Sequence, residues 1–537
     1  MNKSCSFVVF NNIKLTPDAS FKEAFSVARA RAKRLGIASG VSEYSLWRKS
    51  IDARRRDDIR IVYSVLARGE YPLPDTGRLS REDASVHEEH TLPEIPVGEE
   101  KLSAPPVVVG SGPAGLFAAL LLAERGYKPT LIERGGSVED RRRAYEKFKR
   151  DRVLLDDTNI QFGAGGAGTF SDGKLVTRIG DPLSSYVLSR LSAEGAPEEI
   201  KYSARPHIGT DVLSVVVENV IKKIEALGGR VLFGTKYLSS KECLGKISSV
   251  VTSRGEIPAG AVILAIGHSA RDTYKTLIES GADIVAKDFS VGMRIEHLRE
   301  DIDRAMYGSF AERGILSGAE YNLSHNTKVR GVYTFCMCPG GEVVAAASEA
   351  GGVVVNGMSN HSRSGRNSNS AVVCSIFKDD FGGSPEAAIE FQRNIERRAF
   401  LSGGGDYTAP MITVGDFLSG ALSREPSRIL PTYMDGGVRL CRPEEYLPER
   451  VCEAIKGALP EFDKKIRGFS ACDAVLTGAE TRTSAPVRII RDRETLLASG
   501  YSNLYPAGEG AGYAGGITSA AIDGIKVAIA LMSKYRI

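Results

Sequence analysis

Little in this sequence offers an anchor outside a folded core. Its 537 residues include one tryptophan, seven histidines and eight cysteines. The cysteines are scattered without paired spacing, which excludes a disulfide framework and fits a reducing compartment. No apolar run approaches the roughly 20 residues of a membrane span, and the longest obvious one is Leu116 to Ala123. The N-terminus lacks the apolar region and cleavage site of a secretory signal. A net charge of +4 with 25% charged residues excludes a polyelectrolyte partner for the chain as a whole. There is no repeat at solenoid or propeller period. A soluble cytoplasmic protein of two or three domains is expected.

What is present is concentrated in PVVVGSGPAGLFAALLLAERGYKPTLIER, Pro106 to Arg134. Val107 to Val109 read as a buried strand, followed by Gly110, Gly112 and Gly115 as G-x-G-x-x-G. From Ala114 the apolar spacing becomes helical, and Gly126 stands where a helix-ending glycine belongs. A second strand, Pro129 to Ile132, delivers Glu133 about twenty residues after the first glycine. This order of strand, turn, helix, strand and acid is the fingerprint of a dinucleotide-binding unit. Gly110 permits the tight turn, Gly112 lets backbone approach a pyrophosphate, and Gly115 lets helix pack on strand. Pro113 suits the first helical turn, where a missing N–H costs nothing. The helix N-terminus around Ala114 stabilises phosphate charge. Glu133 is expected to accept from ribose hydroxyls, with Arg134 beside it.

The first hundred residues read as a separate piece. Ser6 to Leu15 is a strand by pattern, Ser20 to Leu35 an amphipathic helix, and Glu43 to Ala53 and Asp58 to Leu66 two further strands. Met1 to Arg68 carries fourteen Lys/Arg against six Asp/Glu, whereas Gly69 to Glu100 carries two against nine. The acidic part, with Pro72, Pro74, Pro93 and Pro96, reads as a linker. Arg54-Arg55-Arg56 reads as an exposed hairpin turn, with nucleic-acid contact the lesser reading.

Beyond the fingerprint, Val138 to Arg150 is a charged helix. The stretch NIQFGAGGAGTFSDGKL, Asn159 to Leu175, has neither a strand before it nor an apolar helix after it. It reads as a loop wrapping an extended cofactor, with Gly165, Gly166, Gly168 and Ser171 as contacts. Asp211 to Leu227 reads as a helix, and AVILAIG, Ala261 to Gly267, as a buried strand ending beside His268. Between about Asp288 and Glu480 longer strands and polar loops suggest an inserted domain. The chain returns in LYPAGEGAGYAGGITSAAIDGIKVAIALM, Leu504 to Met532, where a glycine-rich bend opens a last helix near Ile517.

GSGPAG with Glu133, then AVILAIG, then YPAGEGAGYAGG resemble flavoproteins of the glutathione-reductase structural type. More closely, FGAGGAGTFSDGKL, SVGMRIEH, FCMCPGGEVV, VVNGMS, GAETRTSAPVRI and GEGAGYAGGITSAA resemble the bacterial FAD-dependent dehydrogenase family, also described as NAD(FAD)-utilising dehydrogenases. The resemblance implies an α/β fold with a Rossmann-like FAD-binding domain, an inserted α+β substrate domain, and a small N-terminal β-α-β-β domain. The boundaries expected are 1–98, 99–287, 288–480 and 481–537. It further implies FAD as cofactor, with Gly508 and Glu509 near the pyrophosphate and ribitol and Gly267 a further cofactor contact. Gly515, Gly516, Ile517 and Thr518 would lie beside the flavin pyrimidine ring, where a helix N-terminus stabilises reduced flavin. Many relatives carry Asp where this chain has Glu509.

A second strand–glycine–helix unit for a pyridine nucleotide is missing, as is a C-x-x-C or C-x-x-x-x-C redox pair near the flavin loop. A disulfide reductase is therefore not expected, although transient NAD(P)H binding stays open. The expected activity is hydride transfer between a small-molecule substrate and flavin N5. A flavoprotein acting on RNA through its basic N-terminal domain and a redox-inert FAD-binding interaction protein are the alternatives. No metal site, membrane or nucleic-acid partner is expected. Arg294, Glu296 and His297 alternate on a strand, so His297 points away from the other two. Arg294 could clamp a carboxylate, and Glu480 and Arg482 stand where the inserted domain hands back. His268 follows a sheet strand at the edge where ligands bind. Arg294, Arg482 and His268 are expected to converge over the flavin, with an anionic substrate or Glu480 between the arginines. Cys336 and Cys338 read as buried thiols sharing a strand face.

Overall fold

The computed structural model describes residues 6–88, 92–177 and 180–537, which divide into two compact units. The smaller gathers the N-terminal segment to Pro93 with 174–208 and 303–319; the larger holds 94–173, 209–302 and 320–537.

In the smaller unit the elements are β1 (Ser6–Leu15), α1 (Phe21–Leu35), β2 (Val41–Asp52), β3 (Arg60–Gly69), α2 (Thr76–Arg81) and β4 (Ala84–Glu88). Ser20 starts α1 because its side chain accepts the Lys22 N–H while Glu23 closes a capping box, and Gly36 ends it in the left-handed region. Ala24, Ala28, Ala32 and Leu35 form its apolar stripe and pack on Val8, Phe10, Tyr63 and Val65. The sheet order is β2-β3-β1-β4, with every neighbouring pair antiparallel.

Two expectations change here. The acidic stretch is not wholly a linker, because Asp75 caps α2 and β4 pairs along β1. The domain is therefore β-α-β-β-α-β. ASVHE is short and polar, and its strand character comes from covering the open edge of β1. Nor do residues 1–98 stand alone. The Lys49 N–H donates to the Tyr202 carbonyl at 2.7 Å, and the Ala204 N–H to the Lys49 carbonyl at 2.8 Å. Leu316 packs against the α1 core, and Arg313 faces Asp18 at 3.8 Å. By sequence these segments fall in the expected FAD-binding and inserted domains.

The larger unit is built on a five-stranded parallel sheet ordered Leu504–Pro506, Val262–Leu264, Val107–Val109, Thr130–Ile132, Arg230–Leu232. Its strands are apolar runs because both faces are covered. Helix α3 (Pro113–Glu124) is buried from Ala114 to Ala123. It lies against the terminal helix Ile517–Lys534 so closely that a Cβ on Gly524 would fall 2.0 Å from the Ala114 carbonyl oxygen. The inserted part forms a seven-stranded sheet centred on Phe289–Leu298, which pairs with Asn367–Ile376 on one side and Val475–Glu480 on the other. The chain leaves and re-enters on neighbouring strands, so the insertion and the nucleotide fold share one compact unit. Among the described residues no helix is long and apolar enough to cross a membrane.

Candidate functional site

The turns that follow three of the parallel strands touch one another at the sheet's C-terminal edge. Gly110 has φ +99°, and a Cβ there would sit 2.3 Å from the Ala265 carbonyl oxygen. A Cβ on Gly508 would lie 2.7 Å from the Ala114 Cβ, and one on Gly510 would lie 2.6 Å from the Gly267 carbonyl oxygen. The loop joins them: Cβ atoms on Gly166 and Gly168 would come within 3.0 Å of the Gly112 Cα and 3.1 Å of the Ile517 Cγ1. In contrast, a Cβ on Gly112, Gly267 or Gly515 meets nothing within 4 Å, and one on Gly516 meets only the Ser519 hydroxyl at 3.9 Å. Those four glycines face open space. Gly112 and Gly516 are also the N-caps of α3 and of Ile517–Lys534, neither with a side-chain cap. Bare backbone beside two uncapped helix N-termini fits a dinucleotide's phosphates and a charge-accepting ring. Buried Thr518 lies in the first turn of the second helix.

Glu133 departs from its expected role. Its Oε2 accepts from the Ser111 N–H at 2.9 Å and hydroxyl at 2.7 Å, and its Oε1 from the N–H groups of Gly135 at 2.9 Å and Gly163 at 3.0 Å. All four acceptor positions are used. The carboxylate ties the glycine turn to the loop and is not a free ribose acceptor. Arg134 is likewise engaged, donating to both Asp272 oxygens at 2.9 and 2.7 Å and lying 4.4 Å over the Phe162 ring.

The loop from Asn159 is held by a residue that sequence reasoning passed over. Arg141, fully buried on α4 (Val138–Asp151), donates to the carbonyls of Asn159 (3.1 Å), Ile160 (2.7 Å), Ala164 (2.5 Å) and Gly166 (2.9 Å). Burial pushes its pKa down to about 9, with Glu133 opposing, so it stays charged at neutral pH. Its register with buried Val138, Ala144, Tyr145 and Phe148 was the available signal in a helix otherwise full of exposed charge. Ser171 turns inward on the loop, donating to the Gly168 carbonyl at 2.7 Å and accepting from the Gly173 N–H at 3.0 Å.

The candidate catalytic side chains fall into two groups. In the first, the His268 Nδ1 meets the Ser269 hydroxyl at 2.9 Å, which also reaches Gln161 at 3.3 Å. Burial, then the charges of Arg482 and Arg271, push the imidazole down to about 3, leaving it neutral and weakly basic. Arg482 donates to Glu396 at 3.2 and 3.0 Å and also to the Ser348 hydroxyl. The same carboxylate binds Arg271 through two bonds of 2.7 Å, and Arg271 reaches Glu349 at 2.6 Å. Burial alone would raise the Glu396 carboxyl, but the two arginines prevail and hold it well below the usual range. Glu396 lies in the charged helix Pro385–Gly403, where nothing in its spacing singled it out.

In the second group Arg294 donates to Glu480 at 2.9 and 3.0 Å, to the Asn369 side chain at 2.7 Å and to the Cys336 carbonyl at 3.1 Å. Of the three residues expected to converge, His268 feels the charge of Arg482 without sharing a hydrogen bond with it, while Arg294 is joined to Glu480. Arg294 has Glu480, and Arg482 and Arg271 have Glu396 and Glu349 between them, so neither candidate arginine requires an anionic occupant. Glu296 shares the Arg294 face and accepts from Thr432 and Asn367, whereas the His297 Nε2 meets the Phe469 carbonyl at 2.7 Å on the other. Cys336 has φ +47° within a bulge that breaks the alternation of Cys336 and Cys338, and Cys338 donates to the Cys336 carbonyl at 3.3 Å. At the turn after Leu504–Pro506, burial pushes the Glu509 carboxyl up to about 7 while Lys287 pulls it back. No His/Cys/Asp/Glu group among the described residues could hold a metal.

Residues 288–483 match a model described as FAD-dependent protein, C-terminal domain-like. Residues 108–151 match an NAD(P)-binding Rossmann-like domain, and 9–68 a domain of unknown function. An uncharacterized protein of Clostridium beijerinckii is 45% identical over 529 residues, covering 98% of each chain. Among solved structures, glycine oxidase from Bacillus cereus aligns at 10% identity and TM-score 0.36, over 81% of this chain and 98% of that one. CtdE, solved in complex with FAD, aligns at 12% identity and TM-score 0.31, over 79% and 83%.

Proposed function

The chain belongs to one family with the Clostridium beijerinckii protein, and on that premise we propose that it is an FAD-dependent oxidoreductase exchanging a hydride with a small-molecule substrate. FAD is its cofactor. The observation that carries the proposal is that Gly112, Gly267, Gly515 and Gly516 all leave open space where a Cβ would stand, two of them capping helix N-termini. The turn from Gly110 to Gly115 would hold the pyrophosphate, and the Gly508-Glu509 turn the ribitol side. The N–H groups at Gly515 to Thr518 would face the pyrimidine edge, favouring the negative charge of reduced flavin. Bound FAD supplies a two-electron centre at N5.

His268, beside open Gly267, would orient a substrate by hydrogen bonding; with a pKa of about 3 it is poorly suited to hold a proton at neutral pH. Glu509 stands on the neighbouring turn, where Lys287 acts on it electrostatically, and its pKa of about 7 suits proton exchange better. The ion-paired arginines would fix the walls rather than bind an anion. A nicotinamide donor remains within the proposal as a transient visitor.

Denaturing the purified protein and identifying the released flavin tests the cofactor. Anaerobic titration with NADH, NADPH and dithionite tests the redox role. FAD released one per chain and bleached by a reductant is the expected result. Release of FMN alone, or FAD that dithionite does not bleach, overturns the proposal.

A further inference from the structure

The face of the small sheet turned away from α1 is fixed by register. Val8, Phe10, Tyr63 and Val65 point to the helix, so their neighbours Phe7, Val9, Ser64 and Leu66 point the other way. On β2 an extra residue is inserted between Leu46, paired to Val65, and Arg48, paired to Ser64. That bulge sets both Trp47 and Arg48 toward the same face. The Trp47 ring lies 5.3 Å from the Phe7 ring and 5.3 Å from the His87 ring, and His87 stacks on Phe7 at 6.3 Å. Trp47, the single tryptophan of the chain, is 37% exposed and forms the outer layer over Phe7, which is 3% exposed.

Cations surround these rings. The register puts Lys14 opposite Val62, Arg60 opposite Asp52 and Arg68 opposite Glu43, all on this face. Lys14, Arg48 and Arg68 are exposed. Asp52 is paired to Arg54 at 2.5 Å and Arg60 to Asp58 at 2.6 Å, and Glu43 stands across from Arg68, so the positive balance of the face rests on Lys14 and Arg48. Rings from β2, β1 and β4 gathered on one face of a four-stranded antiparallel sheet, flanked by cations, match a known way of reading unpaired nucleotides. Bases stack on the rings and phosphates track the cations.

We propose that this face binds single-stranded nucleic acid, with a base stacked on Trp47 and the backbone running along Lys14, Arg48 and Arg68. The site lies wholly within the small unit, and it holds whether or not the oxidoreductase reading is correct. A protein or lipid partner would match the charge but gives no reason for an outward-facing ring layer.

The test uses the FAD-loaded full chain with fluorescein-labelled U12 and dT12, read by anisotropy, and with unlabelled oligonucleotides, read by Trp47 emission. Binding with Kd of roughly 1–100 µM near physiological salt is expected. Raising salt from 50 to 200 mM should weaken it roughly 20- to 50-fold if three or four phosphates are contacted. Trp47→Ala should cost roughly tenfold or more, Trp47→Phe much less, and Arg48→Glu should abolish binding, with the flavin spectrum unchanged throughout. Preference for U12 over dT12 assigns RNA, and the reverse assigns DNA. Three results overturn the proposal: neither oligonucleotide binds; heparin or anionic vesicles bind as well and quench Trp47 equally; or Trp47→Ala binds as tightly as the native protein.

Discussion

Two substitutions three residues apart in the same turn are expected to fail in opposite ways. At Gly112 the backbone has φ −68° and ψ 178°, a conformation open to valine, and a Cβ meets nothing within 4 Å. Gly112→Val should therefore leave the cofactor-free fold within about 0.5 kcal/mol of native. Its methyl groups would fill the space a phosphate must enter, so FAD affinity should fall at least a hundredfold. With FAD at about 100 times its Kd, the native chain gains about 2.7 kcal/mol from binding, and the variant should forfeit nearly all of it. At Gly115 a Cβ would fall 1.9 Å from the Gly110 carbonyl oxygen. Helix α3 would have to retreat from its strand by more than about 1 Å, an overpacking cost of about 1–3 kcal/mol or more that appears with no cofactor present. Urea unfolding of each variant with and without FAD, beside a flavin-fluorescence titration, separates the cases. Native FAD affinity in Gly112→Val, or an apo destabilisation there matching that of Gly115→Ala, would refute the assignment of roles.

The glycine turn was legible because local backbone needs leave a local signature: Gly110 must turn, Gly115 must let a helix close, and Pro113 fits the first turn. Long-range polar accounting leaves none. Glu133 sits at the spacing of a ribose acceptor, yet all four of its acceptor positions go to Ser111, Gly135 and Gly163, the last thirty residues away. Arg141 and Glu396 look like ordinary charges of surface helices, and their burial follows from which carbonyls and arginines the tertiary fold brings to them. The pairing of Arg294 with Glu480 had a partial signal, since both were named as candidates at the mouths of the insertion. The companionship of Arg482 with Arg271 had none, because it runs through a helix some ninety residues upstream of Arg482. Strand β4 was missed for a related reason: its pattern is polar, and its place in the sheet is decided by the edge of β1.

Arg141→Met should withdraw the donors from four loop carbonyls at once. Each buried acceptor left unmet costs about 1–3 kcal/mol, so a loss of at least ~3 kcal/mol is expected in urea unfolding, accompanied by weaker FAD retention. Glu396→Gln leaves Arg271 and Arg482 buried side by side without their shared anion, for an expected loss of about 3–5 kcal/mol. The same carboxyl is held below its ordinary 4.5 in the native state, so its stabilisation is complete above that pH and is lost on acidification. Glu509 should act in the opposite direction and in a different window. Its carboxyl titrates near 7 in the cofactor-free folded chain against 4.5 as the ordinary value, so the native state binds this proton more tightly than the unfolded state does. Its favourable contribution is therefore complete below about pH 4.5 and is lost as pH rises through 7. Glu509→Gln has no proton to lose, so the stability of its apo form should fall less between pH 5 and 8 than that of the native apo chain. Glu396 does not confuse the comparison, because its titration lies below this range and is common to both chains. Urea midpoints measured at half-unit intervals from pH 5 to 8 decide the matter: parallel curves for the two proteins would mean that the Glu509 carboxyl is as readily ionised in the fold as in water.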